Sequence, residues 1–300
     1  MTVIEIILCI ARGQAVAVLL AAMLFPGAIR VPASDSNPPA AQVQAMEEEP
    51  GPVLIPEGPR AEDAFFDDTL FVGDSVTRKL ELYVRNQRKT NPSLLGTARF
   101  FSIASLGSGN LQRPVSRKSA HPKLNGQKML LEDAVVACEA KKLYIMLGMN
   151  DIAVYGIQGS VDNLMALIGK VREKSPDVEI YVESVTPRVR GKDQKTLNNA
   201  NIERYDQLLC ETIESSGLAN IWFVDVASAL RGEDGTLPRK YCSDPGVQGI
   251  HFTDAACEIW IDYLYTHTPN THSALTEKQT PDRRALADRT AGESERKNHR

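Results

Sequence analysis

From Thr69 to Tyr265 the chain alternates between short apolar runs and stretches of helical periodicity, and this alternation constrains the fold more than any other feature. The apolar runs are Thr69 to Val72, Arg99 to Ala104, Lys142 to Leu147, Val178 to Val185 and Ile221 to Val226. Between them lie helical stretches through Arg78 to Arg85 and Leu130 to Ala140, and apolar positions Val161, Leu164, Met165, Ile168 and Val171 at helical spacing. A further helix around Ile202, Tyr205, Leu209 and Ile213 should close at Gly217, and a last one should run from Thr253 to Tyr265. Strands separated by helices require right-handed crossovers, so the expected architecture is α/β, with a five-stranded, mostly parallel sheet covered on both faces. In such sheets ligands bind beyond the carboxyl ends of the strands, which states in advance where functional residues must lie.

The flanks differ in character. Gln14 to Ile29 is a charge-free, mostly apolar run of 16 residues after Arg12, followed by Val31-Pro32-Ala33. Residues 1–30 therefore read as a signal peptide or, if the apolar segment is extended over residues 3–29, as a membrane anchor. Either reading places the rest of the chain outside the cytoplasmic membrane. Residues 31–63 form a Pro/Glu-rich linker, with seven of the chain's 17 prolines between positions 31 and 60. Residues 269–300 read as a disordered polar tail, which leaves one folded domain over residues 64–268.

A formal net charge of −4 argues against nucleic acid as the main partner. The basic stretch Arg113 to Lys128 reads as a solvated loop, or as a rim that attracts an anionic polymer. Cys138, Cys210, Cys242 and Cys257 permit disulfides in an oxidising compartment, but the helical apolar faces that carry three of them favour free, buried thiols. No CxxC pair, nucleotide-binding loop or cofactor motif is visible, and the sequence says nothing of oligomeric state.

The polar residues at the strand ends form a coherent set. Ser75 follows the first strand and opens a helix, whose N-terminus favours developing negative charge. Gly107 and Gly109 follow the second strand, Asn150 and Asp151 the third, and His251 the fifth, just before the last helix. A hydroxyl, an imidazole and several N–H donors are the parts needed for acyl transfer.

Phe71-Val72-Gly73-Asp74-Ser75, Gly148-Met149-Asn150-Asp151 and Gly249-Ile250-His251 resemble the sequence blocks of the SGNH/GDSL hydrolase family, in order and across the whole domain. The resemblance implies a three-layer α/β/α sandwich of flavodoxin-like topology. It implies Ser75 as nucleophile, His251 as general base, and an oxyanion hole from the Ser75 N–H, a glycine of the second block and the Asn150 amide. Gly107 is the first choice for that glycine, because it ends the apolar strand directly, and Gly109 stays open. One departure stands out. The family places an aspartate three residues before the histidine, and here that position is Gln248. Asp244, turned back by Pro245-Gly246, is the expected replacement, and a Ser-His dyad or a backbone carbonyl in the orienting role is the rival.

The function implied is an exported serine esterase acting on small acyl esters, with an acylated small molecule or an O-acetylated carbohydrate as substrate and no cofactor. A surface binding domain that has lost turnover, or an O-acyltransferase using the same site, are the alternatives.

Overall fold

The computed structural model describes residues Pro52–Pro269; the leader, most of the proline-rich linker and the polar tail lie outside the described residues. In chain order the elements are β1 (Thr69–Gly73), α1 (Ser75–Gln87), β2 (Arg99–Ser102), α2 (Ser108–Leu111), β3 (Lys123–Leu124), β4 (Gln127–Lys128), α3 (Leu131–Ala137), β5 (Lys142–Met146), α4 (Ile152–Lys174), β6 (Glu179–Glu183), α5 (Asn199–Ser216), β7 (Ile221–Val224), α6 (Val226–Leu230) and α7 (Asp254–Thr266). Five strands form one parallel sheet in the order β2-β1-β5-β6-β7, and β3 pairs with β4 in a small separate hairpin. This is the expected three-layer sandwich of flavodoxin-like topology.

Strand alternation divides the core in two. Leu70, Val72, Leu143, Ile145, Ile180 and Val182 face one layer, where α3, α4 and α5 supply Leu131, Leu164, Ile168 and Leu209. The residues between them face the other layer, with Val76 and Leu80 of α1 and Trp260 and Leu264 of α7. On that second face the sheet carries one aromatic ring per strand, in register. Phe100, Phe71, Tyr144, Tyr181 and Trp222 are consecutive lateral partners. Their ring centroids lie 5.2, 4.9, 4.4 and 5.2 Å apart, all stacked. Offset stacking at this range adds about 0.5–1.5 kcal/mol per pair beyond burial, so the ladder favours this one strand register over its alternatives.

The helices follow their sequence signals closely. Asp74 caps α1 by accepting from the Val76 N–H at 2.8 Å. Helix α5 ends, as expected, at Gly217 in the left-handed region. Helix α4 begins earlier than its periodic apolar positions suggest and kinks at Gly156, where the dihedrals leave the helical region. All four domain cysteines are free thiols, two of them buried. Among the described residues no helix is long and apolar enough to cross a membrane.

The linker expected over residues 31–63 gives way to the fold sooner than its composition indicates. Leu54 forms a parallel bridge with Phe223, the Ile55 N–H donates to the Phe223 carbonyl at 3.0 Å, and Ala61 and Gly58 donate to carbonyls at the end of α7. Val53 and Ile55 pack on the core, so this short segment closes the β7 edge of the sheet. Its prolines masked that role, because proline weakens any strand reading while remaining tolerated at an edge.

Two groups in the aromatic layer generate tests of stability. The Tyr144 hydroxyl is buried without a hydrogen-bond partner among the described residues. Tyr144→Phe should therefore leave stability unchanged or raised, whereas Tyr144→Ala, which removes the centre of the ladder, should cost about 3–5 kcal/mol in urea denaturation. Glu183, on the same face of the sheet, accepts from Trp260 Nε1 at 2.7 Å and is 1% exposed. Burial pushes its carboxyl from 4.5 up to about 8. The native state thus holds a proton that the unfolded chain releases. Stability is lost as pH rises from about 4.5 to about 8 and is level above that. Glu183→Gln keeps the acceptor for Trp260 and should flatten this part of the pH profile. Equal urea-midpoint shifts between about pH 5 and about pH 8.5 in both proteins would show the carboxylate to be ionised in the fold.

Candidate active site

The switch in strand order lies between β1 and β5, whose connections leave to opposite sides, and a crevice opens beyond their carboxyl ends. Ser75 stands there as the first residue of α1, half-buried. The turn into the helix is tight, and Gly73, two residues before Ser75, leaves room for it. A Cβ at Gly73 would lie 2.0 Å from Thr77 Oγ1 and 2.8 Å from the Met146 carbonyl.

The imidazole of His251 reaches Ser75 from the loop before α7, with Nε2 3.0 Å from Ser75 Oγ. Its other nitrogen, Nδ1, lies 2.8 Å from Asp244 Oδ2. Asp244 is thus the carboxylate that meets the second ring nitrogen, and the three side chains lie in the order hydroxyl, imidazole, carboxylate. The chain turns back over Pro245-Gly246, with Val247 and Gly249 N–H donating to the Asp244 carbonyl at 2.9 and 3.1 Å. The Asp244 carboxylate also gathers the loop around itself. It accepts from the N–H groups of Gln248, Ile250 and His251 at 3.3, 3.2 and 3.0 Å, and from the Cys242 thiol at 3.2 Å. Burial pushes the Asp244 carboxyl up. Hydrogen bonds from the His251 ring, the Cys242 thiol and the His251 N–H outweigh it and, with the histidine's charge, hold the carboxyl near 2. It therefore stays ionised across the neutral and mildly acidic range. Gln248 is exposed and takes part only through its backbone.

The second block separates the two glycines. The Ser108 and Gly109 N–H groups donate to the carboxylate of Asp151 at 2.9 and 3.2 Å. The Gly107 N–H, at the start of α2, has no partner among the described residues, and neither has the Ser75 N–H. Gly107 also touches Asp151 so closely that a Cβ there would lie 2.6 Å from its carboxylate. Asp151 is 1% exposed, and burial raises its carboxyl above the usual range. Its function in the fold is to bind the glycine loop to the end of β5. Sequence reading placed Asp151 beside Asn150 without a separate role, because its partners lie more than forty residues away.

Asn150 Nδ2 donates to Asp74 Oδ2 at 2.8 Å and to the Leu106 carbonyl at 3.0 Å, so both amide hydrogens are engaged and the amide is fixed in orientation. Asp74 is 2% exposed, and burial raises its carboxyl to about 6 against the opposing pull of the Val76 N–H and the charge of His251. The basic loop after α2 is held by Lys128, whose Nζ donates to the carbonyls of Arg117 and Ser119, while Arg113 reaches Tyr155 Oη at 3.3 Å. Among the described residues no group of three or more side chains is arranged to hold a metal ion.

The model of the GDSL-like lipase/acylhydrolase family matches residues 71–259. Similar solved structures include a GDSL-like lipase from Bacteroides thetaiotaomicron, at 19% identity and a TM-score of 0.48 over 69% of this chain and 88% of that one. Another is a carbohydrate esterase of family 3 from Talaromyces cellulolyticus, at 14% identity and a TM-score of 0.47 over 70% and 98% of the two chains. No curated protein matches the chain. With the family match spanning the sheet from β1 into α7, and containing the serine, asparagine, aspartate and histidine that the fold brings together, the chain belongs to the GDSL-like lipase/acylhydrolase family.

Proposed function

We propose that this domain is a serine esterase that cleaves small acyl esters, and that Ser75, His251 and Asp244 form its catalytic triad. The observation that carries the reading is the continuous contact from Asp244 Oδ2 through His251 to Ser75 Oγ, at 2.8 and 3.0 Å. His251 Nε2 accepts the Ser75 proton as Oγ attacks the ester carbonyl, and the Asp244 carboxylate stabilises the imidazolium that results. The tetrahedral oxyanion is held by the unspent N–H groups of Ser75 and Gly107. Gly109, whose N–H is given to Asp151, is left out of that role. Asn150 joins them when the oxyanion takes the place of the Leu106 carbonyl on one amide hydrogen, while Asp74 keeps the other. Collapse expels the alcohol, which takes its proton from His251, and water then resolves the acyl-enzyme by the same route.

An O-acetylated carbohydrate outside the cytoplasmic membrane is the substrate class this reading points to, on the strength of the apolar leader. The contact between Asp244 and His251 removes the main reason for reading the domain as a turnover-free binding module, which was the glutamine at position 248.

Hydrolysis of 4-nitrophenyl acetate, butyrate and octanoate by the full chain tests the proposal. Activity should fall with chain length and vanish in Ser75→Ala; turnover that survives that substitution would refute it. Addition of a sugar acceptor separates hydrolysis from transfer, since an acyltransferase would form acylated sugar with little free acid. A second experiment addresses the displaced aspartate. Asp244→Asn should lower kcat by about 10³–10⁴-fold, and Gln248→Ala should change it by less than about twofold. The opposite ranking would return the orienting role to position 248.

A further inference from the structure

Beyond the triad itself, one buried guanidinium among the described residues remains without a function. Arg188 follows β6 in the segment Thr186-Pro187-Arg188-Val189 and is 2% exposed, among the largest fully buried side chains in the domain. A guanidinium taken out of water is costly unless it is paired and hydrogen-bonded. Arg188 forms no salt bridge within 4.0 Å among the described residues, and its Nε has no partner there. Its one side-chain hydrogen bond runs from Nη2 to the Gln248 carbonyl, at 3.0 Å. Burial lowers its pKa, opposed by the charges of Asp193 and Asp244. The segment around it is rigidly held: Asn199 Oδ1 accepts from the Arg188 N–H at 2.7 Å, and the Arg188 carbonyl accepts from Asn199 Nδ2 and the Leu237 N–H at 3.0 and 2.9 Å.

The acceptor identifies the role. Gln248 stands three residues before His251, at the position from which the orienting carboxylate has been displaced to Asp244. We propose that Arg188 is a positioning residue for the triad: it clamps the Gln248 carbonyl and so fixes the lengthened Asp244–His251 loop in the one shape that sets Asp244 against the imidazole. Two neighbours act on the same loop, the Val189 N–H donating to the Gly249 carbonyl at 2.9 Å and Lys192 Nζ to the Gly246 carbonyl at 2.7 Å. Arg188 differs from Lys192 in being buried, and from both in carrying a planar fork of donors and in placing its charge within electrostatic reach of Asp244.

This inference rests on the esterase reading, and its test is chosen so that the two fail separately. The readouts for the full chain are kcat and KM on 4-nitrophenyl acetate and, without substrate, the downfield proton resonance of the His251 Nδ1–H hydrogen-bonded to Asp244. Arg188→Met should lose or broaden that resonance and lower kcat by about 10–100-fold, with KM within about threefold. If Arg188→Met does not fold, Arg188→Lys decides. It keeps the charge but not the fork, and should shift the resonance and lower kcat by about tenfold. Gln248→Ala, which retains the carbonyl, should alter neither readout. A folded Arg188→Met or Arg188→Lys protein with the resonance and kcat of the unsubstituted chain would overturn the proposal, as would absence of the resonance from that chain. Loss of the resonance in a chain that shows no Ser75-dependent turnover would uphold the positioning role and refute the esterase.

Discussion

The structure depends on the register of its parallel sheet, and the aromatic ladder on one face is the interaction that specifies it. Parallel strands joined by helices have no tight turn to set their alignment, so side-chain packing across the sheet must do so. Here every strand of the central sheet contributes one ring, and each ring stacks on the next. A slip of one residue in any strand would send its ring to the other face and break the stack. The same alignment pairs Gly73 of β1 with Met146 of β5, so that the two turns beyond them, carrying Ser75 and Asn150, emerge side by side. The chemistry of the site is thus set by packing that lies beneath it.

Around the crevice the fold uses carboxylates as fasteners. Asp74 joins the first turn of α1 to Asn150, Asp151 joins the glycine loop to the end of β5, and Asp244 gathers its own loop and orients His251. Their different electrostatic states follow from their partners. Asp74 and Asp151 have more burial than compensation and are raised, whereas Asp244 collects a ring nitrogen, a thiol and several backbone donors and is lowered.

Much of this was legible in the sequence, because periodicity and strand-end residues are local signals. All five sheet strands, the helices α1, α3, α5 and α7, and the second half of α4 lie where apolar spacing put them. Ser75, Asn150 and His251 were found because they follow strands, and Asp244 because the turn residues Pro245-Gly246 allow the chain to fold back. The short helices α2 and α6, the β3–β4 hairpin and the edge segment at Val53 to Ile55 were not found, since each is too short to show a period. The choice between Gly107 and Gly109 needed the position of Asp151, a long-range contact. Arg188 was hidden for another reason. It stands among Arg190 and Lys192 in what reads as a basic surface loop, and only burial distinguishes it from Arg190, which pairs with Asp234 at the surface.

The loop between the triad acid and base is closed at its own root. The Ser243 N–H donates to the His251 carbonyl at 2.8 Å, and Cys242 bridges Phe252 in antiparallel fashion, so the chain leaves and returns at one point. Asp244 and His251 are therefore carried on a single tied-off excursion of the backbone, so that any change in its length has to be taken up between those two residues and not by the sheet or by α7.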